Sequence, residues 1–194
     1  MAAAITITRA SELTADPALL TAAERAVCSD RSGLRRDEWI RGRLAVRAAM
    51  VTALGTRAAA IDVLIAPDAG PLVVGGPPCA ISLSHDDAWI AVAIAVGAYR
   101  IGIDLCARSK ATRVIDLLAR LGVQFDCEPL AAFAALEAVL KLRRLGVMEL
   151  REHATEVRAR GASQVEVHGL GAATLVELQV CPEHVVGWAL EALA

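Results

Sequence analysis

The sequence predicts an α+β fold, and three observations lead to this class. Segments with the alternation or β-branched content of strands are interspersed with long helical segments. Each half of the chain has the order strand, helix and then several strands, which is typical of α+β layers. Of the 194 residues, 56% are hydrophobic and 22% are charged, so the chain can bury a sizeable core. We expect two related lobes, residues 1–99 and 100–194, packed as one unit.

The N-terminal half is predicted to begin with a strand and to continue through a long amphipathic helix into further strands. We expect strands over 4–8, 61–65, 80–84 and 89–96, one helix that begins near 14–17 and another over 36–54. One face of the long helix is predicted to carry Trp39, Leu44, Ala45, Ala48 and Val51. The Gly- and Pro-rich residues 67–78 predict a loop, and residues 85–87 predict the turn between the last two strands.

The C-terminal half is predicted to repeat this order of elements. A strand over 100–105 comes first, followed by helices over 111–121 and 130–145. Glycine or proline turns then separate strands over 163–168, 173–180 and 185–190, with a weaker candidate over 154–159.

The apolar run over residues 88–105 is nearly long enough to span a bilayer. Gly97, Arg100, Gly102 and Asp104 interrupt it, and it is rich in β-branched residues. We therefore predict two buried strands joined by a turn, and no membrane partner.

Composition predicts the setting of the protein. The N-terminus lacks the pattern of a signal peptide, and the five cysteines are widely spaced without a CxxC pair, so a reducing cytoplasm is expected. The net charge is −2, which argues against a nucleic-acid partner. Only two of the 20 basic residues are lysines, Lys110 and Lys141, so a lysine at any specified position is a rare event.

Asp104 is the first candidate for chemistry. On a strand over 100–105, Ile101, Ile103 and Leu105 would point into the core, and Gly102, Asp104 and Cys106 would point the other way. A carboxylate among apolar neighbours needs a counter-charge. Two interpretations remain open: a ligand for a hard metal ion, or an aspartate that caps the next turn.

Glu137 and Lys141 are the second candidate. They are four residues apart on a predicted helix and therefore share a face. One interpretation is an exposed ion pair that contributes little. Because their neighbours are nearly all apolar, the other interpretation is an inward-facing acid and cation close to Asp104.

Two further segments carry polar side chains. Ser82 and Ser84 share a face of a predicted strand and His85 follows them, an arrangement that could hold a phosphate or simply be solvated. The arginines of residues 35–47 recur around a helix, and most are expected to be solvated while one or two meet an anion.

These segments occur together and in order. LTAAERA (20–26), GRLAVR (42–47), ISLSHDDAWIAVAIA (81–95), IGID (101–104) and FAALEAVLK (133–141) resemble the motifs of the 4′-phosphopantetheinyl transferase superfamily, surfactin-synthetase type. The resemblance runs from about residue 20 to about residue 190. It implies two similar α/β lobes related by a pseudo-twofold axis, with coenzyme A bound in the cleft between them.

The resemblance also implies a reaction and a site. The enzyme would transfer the 4′-phosphopantetheine arm of coenzyme A to a serine of an acyl or peptidyl carrier protein in polyketide or peptide biosynthesis. Asp104 and Glu137 would hold Mg²⁺, Glu137 would be the base, and Lys141 would neutralise the leaving group. Contacts to coenzyme A would come from Arg25, Arg43, Ser84, His85 and Lys141.

The chain departs from the family pattern at three places. Cys106 stands where a second acid is usual, Leu136 stands where the first lysine is usual, and Ala69-Gly70-Pro71 lacks the usual basic residue. A thiolate is a poor ligand for Mg²⁺. The alternative prediction is therefore a divergent homologue that has lost the transfer and serves as a carrier-protein-binding accessory subunit or as an enzyme of other chemistry.

Overall fold

The protein has a mixed α+β fold, as predicted, in a computed structural model that describes residues 3–29, 31–55, 61–66, 70–86 and 88–193. The chain divides into two compact units, Met1–Tyr99 with Ala192–Ala194, and Arg100–Glu191. The described elements of the first half are β1 (Ala4–Arg9), α1 (Ala22–Cys28), α2 (Gly33–Leu54), β2 (Asp62–Ala66), β3 (Gly70–Val74), β4 (Cys79–Asp86) and β5 (Trp89–Val96). Those that follow are β6 (Tyr99–Ala107), α3 (Ala111–Arg120), β7 (Gln124–Phe125), α4 (Pro129–Arg143), β8 (Glu156–Ala159), β9 (Gln164–His168), β10 (Thr174–Val180) and β11 (His184–Ala192).

The first unit is built on an antiparallel sheet of order β1-β5-β4, against which α2 packs. The central strand β5 is buried on both faces, because its alanine, valine and isoleucine side chains leave no polar group to solvate. Strands β2 and β3 form a separate antiparallel pair. Helix α1 begins with a capping box in which Thr21 and Glu24 satisfy each other's backbone N–H groups.

The buried face of α2 differs from the predicted one. The apolar side chains that α2 buries are those of Ile40, Ala45, Val46, Ala49 and Met50, whereas Ala48 is exposed. The prediction was wrong for Ala48 only, because Ala45 is buried and Trp39, Leu44 and Val51 are partly buried against the core. Arginines occur on most sides of this helix, so its sequence has little amphipathic contrast.

The second unit is a six-stranded sheet of order β6-β11-β10-β9-β8-β7. Its neighbours β8, β9, β10 and β11 pair antiparallel, and the short β7 pairs parallel with β8. Helix α4 packs on this sheet and on α3, and ten of its fifteen residues are buried while the other five are partly buried. The core of the unit is therefore alanine, valine and leucine from α4 and from the strand face below it.

Several boundaries differ from the prediction. Strand β3 lies within the segment predicted as a loop, although residues 67–69 of that segment are outside the described residues. Strand β4 continues through His85 to Asp86, so the turn is shorter than predicted, and Asp87 is also outside the described residues. A 3₁₀ turn, Pro17–Leu19, precedes α1 where a helix was expected to begin.

The apolar run over residues 88–105 forms strands, as predicted. Gly97, at φ +108°, supplies the turn between β5 and β6, a conformation that side-chain-bearing residues adopt only with strain. The two strands belong to different sheets rather than to one hairpin. Among the helices that the structure describes, none is long and apolar enough to cross a membrane.

Candidate functional site

The candidate site lies where α4 crosses β6 in the second unit, and a glycine makes this crossing possible. A Cβ atom added at Gly102 would lie 1.9 Å from the carbonyl oxygen of Ala138 and 2.8 Å from the backbone nitrogen of Leu142. Only glycine permits such an approach of helix backbone to strand backbone. A Cβ atom added at Gly187, on β11, would lie 3.1 Å from the backbone of Ala134, a tighter contact than side chains usually make.

The close crossing brings Asp104 and Lys141 together. Lys141 Nζ donates to Asp104 Oδ1 at 2.7 Å and to the carbonyl oxygen of Ile103 at 3.0 Å. Asp104 is 7% exposed, so its carboxylate needs a counter-charge, and the ammonium of Lys141 supplies one. Lys141 itself keeps 31% of its side chain accessible. The pair is therefore held inside the unit yet reachable from solvent at the lysine end.

Glu137 faces the same two groups. Burial raises the pKa of the Glu137 carboxyl, the negative charge of Asp104 raises it further, and the positive charge of Lys141 opposes both. Two carboxyl groups and one ammonium thus interact electrostatically at one place, with an excess of one negative charge when all are ionised. A raised carboxyl pKa brings the group closer to the range that suits a general base near neutral pH.

The other predicted neighbours of Asp104 do not join this cluster. The face of β6 that carries Gly102 and Cys106 packs against the core rather than away from it, which corrects the predicted orientation. Cys106 is 2% exposed and belongs to the apolar core of the second unit. In the described part of the chain, no group of three or more His, Cys, Asp or Glu side chains is placed to hold a metal ion.

The carboxyl groups of Asp104 and Glu137 are of the chemical kind that binds Mg²⁺. Mg²⁺ is commonly held by one or two carboxylates, with waters and substrate phosphates completing the shell. Asp104 and Glu137 supply two carboxyl groups whose mutual repulsion a cation would relieve. Cys106 supplies nothing to it, since its thiol lies in the apolar core.

Leu136 occupies the position at which a lysine would be expected from the family pattern. Its side chain is 1% exposed and lies in the apolar core of the second unit. The departure is therefore part of the packing, because a lysine at this position would bury its charge among alkyl side chains.

The first unit places Ser84 and His85 on opposite faces of β4. Ser84 is 6% exposed, whereas His85 is exposed and pairs across the ladder with Ile90. Successive residues of a strand point to opposite sides, so the two cannot hold one phosphate together through their side chains. The structure therefore separates the serine from the histidine, and the exposure of His85 agrees with the solvated alternative.

The two predicted arginines of this unit have internal partners. The Arg25 guanidinium donates to the carbonyl oxygen of Leu20. Arg43 is 3% exposed, donates to the carbonyl oxygen of Val63 at 3.1 Å and lies over the Trp39 ring. Burial lowers the pKa of Arg43, and the nearby Glu24 carboxylate opposes that shift.

Sequence reasoning missed the ion pair between Glu24 and Arg47 in this unit. Glu24 is 1% exposed and forms a salt bridge with Arg47. The available signal was the threonine three residues before Glu24, which marks a helix start. Sequence reasoning also missed the role of Gly187, because a lone glycine in a strand does not reveal what crosses it.

Comparison of the chain with protein-family models and with curated proteins gives no match.

Proposed function

We propose that this protein transfers the 4′-phosphopantetheine arm of coenzyme A to a serine of an acyl or peptidyl carrier protein. The observation that carries the proposal is the cluster of Asp104, Glu137 and Lys141, a buried carboxylate, an acid with a raised pKa and a cation. The order of motifs that resemble the 4′-phosphopantetheinyl transferases supports the choice of reaction.

In the proposed reaction, Glu137 accepts the proton of the carrier serine. The serine oxygen attacks the phosphorus on the pantetheine side of the coenzyme A diphosphate, and the bond from that phosphorus to the bridging oxygen breaks. The leaving 3′,5′-ADP takes the electron pair, and the ammonium of Lys141 stabilises the negative charge that develops there. Lys141 can exchange Asp104 for this partner because its side chain is partly accessible.

Asp104 and Glu137 are the residues that would hold Mg²⁺, which would neutralise diphosphate oxygens as a Lewis acid. His85, which is exposed, remains our candidate for a phosphate of coenzyme A. Arg25, Arg43 and Ser84 are weaker candidates, because each is buried or has a partner within its own unit.

We also propose that the two lobes are related by a pseudo-twofold axis, as the resemblance to the transferases implies. Each unit packs one long helix on a sheet, α2 on β5 of the antiparallel first sheet and α4 on β9 and β10 of the mainly antiparallel second sheet. The cytoplasm also remains the proposed location, and the free state of all five cysteines supports it.

The first prediction tests the reaction. The full-length protein is incubated with coenzyme A, Mg²⁺ and a purified apo carrier protein. The mass of the carrier is then measured by mass spectrometry. We expect one phosphopantetheine arm per carrier, and we expect Glu137→Ala to slow the transfer by at least about 100-fold. The matched control is Glu38→Ala, which removes an exposed glutamate from α2 and should keep the wild-type rate. No transfer to any of several carriers, or equal loss in both variants, contradicts the proposal.

The burial of Cys106 and Leu136 favours a second candidate function. Cys106 and Leu136 stand where the resembling family has an acid and a lysine, and both lie in the apolar core, which is the arrangement expected of a site that serves another task. A protein of this kind would bind a carrier protein as an accessory subunit or act by other chemistry. This second function predicts that calorimetry detects binding of a carrier protein but no micromolar binding of coenzyme A and Mg²⁺, and that no arm is transferred.

A further inference from the structure

One side of helix α4 remains accessible, and it extends beyond the residues that the proposed function uses. Ten of the fifteen residues of α4 are buried. Four of the other five recur at every fourth position, namely Pro129, Phe133, Glu137 and Lys141. Residues four apart on a helix lie on one face. The accessible stripe of α4, as we call these four residues, is therefore a single line of side chains.

Helix geometry fixes the order and spacing of the side chains along the accessible stripe. With a rise of about 1.5 Å per residue, members that are four residues apart lie about 6 Å apart along the helix axis. Glu137 and Lys141 interact electrostatically. Phe133 is therefore one turn from Glu137, on the side away from Lys141.

Phe133 is one of only two phenylalanines in the chain. Its ring packs partly against the core of the second unit and keeps part of its surface accessible. Phe125 is also partly buried against that core, but it lies on β7, at the opposite edge of the sheet from β6 and Asp104. Aromatic side chains are enriched where proteins bind each other. The accessible part of the Phe133 ring thus offers apolar contact area beside an acid and a cation.

We propose that Phe133 binds the carrier protein beside its acceptor serine, an assignment that rests on the proposed function. In that reaction, Lys141 stabilises the leaving group and Glu137 accepts the proton of the serine. The attacking and leaving oxygens lie roughly in line, on opposite sides of the phosphorus. The accessible stripe therefore runs from the leaving 3′,5′-ADP at Lys141, past the serine at Glu137, to the carrier at Phe133.

An apolar side chain of the carrier is the partner that suits this position. Contact with the ring removes apolar surface of both proteins from water, which stabilises the complex. Coenzyme A lies toward the other end of the accessible stripe, so the loss of the ring should affect the carrier and leave coenzyme A binding unchanged.

The second prediction tests Phe133 with two measurements on the full-length protein. Steady-state transfer is measured while apo carrier and coenzyme A are varied in turn. Calorimetry measures the binding of a carrier whose acceptor serine is replaced by alanine, so that no transfer occurs during the titration. For Phe133→Ala, we expect the KM for the carrier and the calorimetric Kd to rise at least about fivefold. The kcat and the KM for coenzyme A should stay within about twofold of the wild-type values.

The matched control is Phe125→Ala, the identical change at the other phenylalanine, which should alter the carrier Kd by less than about twofold. Phe133→Leu keeps an apolar side chain and should retain most of the affinity. If Phe133→Ala fails to fold, as judged by circular dichroism, Phe133→Gln replaces it with the same expected weakening, because a partly exposed position tolerates a polar side chain.

The two measurements separate failure of this assignment from failure of the proposed function. Unchanged carrier binding by the Phe133 variants, equal weakening by Phe125→Ala, or a rise in the KM for coenzyme A alone overturns the assignment. A wild-type protein that binds no carrier overturns it as well. If the wild-type protein binds the carrier without transferring the arm, and Phe133→Ala weakens that binding, the proposed reaction fails and the assignment of Phe133 is supported.

Discussion

Arg144 ends α4 in a conformation that few side chains adopt. Its φ is +59°, in the left-handed region, and its backbone N–H donates to the carbonyls of Leu140 and Lys141. This is the position after a helix at which glycine is preferred, because a Cβ atom is strained there. The side chain of Arg144 is exposed.

We therefore predict that Arg144→Gly stabilises the protein by about 1 kcal/mol in urea unfolding. Arg144→Ala, which removes the same side chain but keeps the Cβ atom, should give no gain. A gain with alanine equal to that with glycine would show that the side chain, rather than the backbone, was the source.

The thiol of Cys127 is predicted to be unreactive near neutral pH. Burial raises its pKa to about 11, the negative charges of Asp126 and Glu128 add to this, and a hydrogen bond with its own backbone opposes it. Only the thiolate is nucleophilic. Because the folded-state pKa lies above the usual value, the reactive fraction grows roughly tenfold for each pH unit until the pH approaches that pKa.

Alkylation by iodoacetamide, followed peptide by peptide by mass spectrometry, checks this. In the folded protein, the alkylation rate of Cys127 should still rise between pH 9 and about 10.5. In urea, the rate should level off once the pH has passed the ordinary cysteine pKa of about 8.5. A plateau below pH 9 in the folded protein would contradict the prediction.

At the scale of the element, the crossing of α4 over β6 depends on the missing Cβ atom of Gly102. An added Cβ would overlap the Ala138 carbonyl oxygen at 1.9 Å, so helix or strand must move. We predict that Gly102→Ala costs about 3 kcal/mol of unfolding free energy. Gly187→Ala should cost less, because the added Cβ atom would lie 3.1 Å from the nearest backbone atoms.

Gly146→Ala is the control for this prediction. Its added Cβ would meet only the Glu149 carboxylate at 3.1 Å, and that flexible side chain can move aside. In urea unfolding, the loss of unfolding free energy should therefore be largest for Gly102→Ala, smaller for Gly187→Ala and smallest for Gly146→Ala. A Gly102→Ala variant as stable as Gly146→Ala would mean that the helix does not approach the strand so closely.

At the scale of the whole molecule, the sequence predicted the α+β class and most elements, because apolar alternation and helical spacing report burial directly. Strand β3 was missed because Gly70 and Pro71, at its start, are typical of turns. The exposure of Ala48 was missed because arginines occur on most sides of α2, so its sequence does not mark the edge of the buried face.

The candidate site was only partly predictable. The four-residue spacing of Glu137 and Lys141 places them on one face of any helix, so that part needed no structure. The orientation of β6 did need one, because all residues from Gly102 to Ala107 are buried and the sequence does not distinguish its two faces. The separation of Ser84 from His85 followed from a strand that extends further than the turn signal suggested.

The hydrogen bonds of Lys141 have a practical consequence for spectroscopy. Since the chain has only two lysines, a ¹⁵N-lysine label introduces only two side-chain amine signals into the protein. One of them belongs to the Lys141 ammonium, which donates to the Asp104 carboxylate and to the carbonyl oxygen of Ile103. A hydrogen-bonded ammonium is expected to exchange its protons slowly, so this resonance should be observable in solution without full assignment. It should change when a cation or another ligand displaces Lys141 from the Asp104 carboxylate.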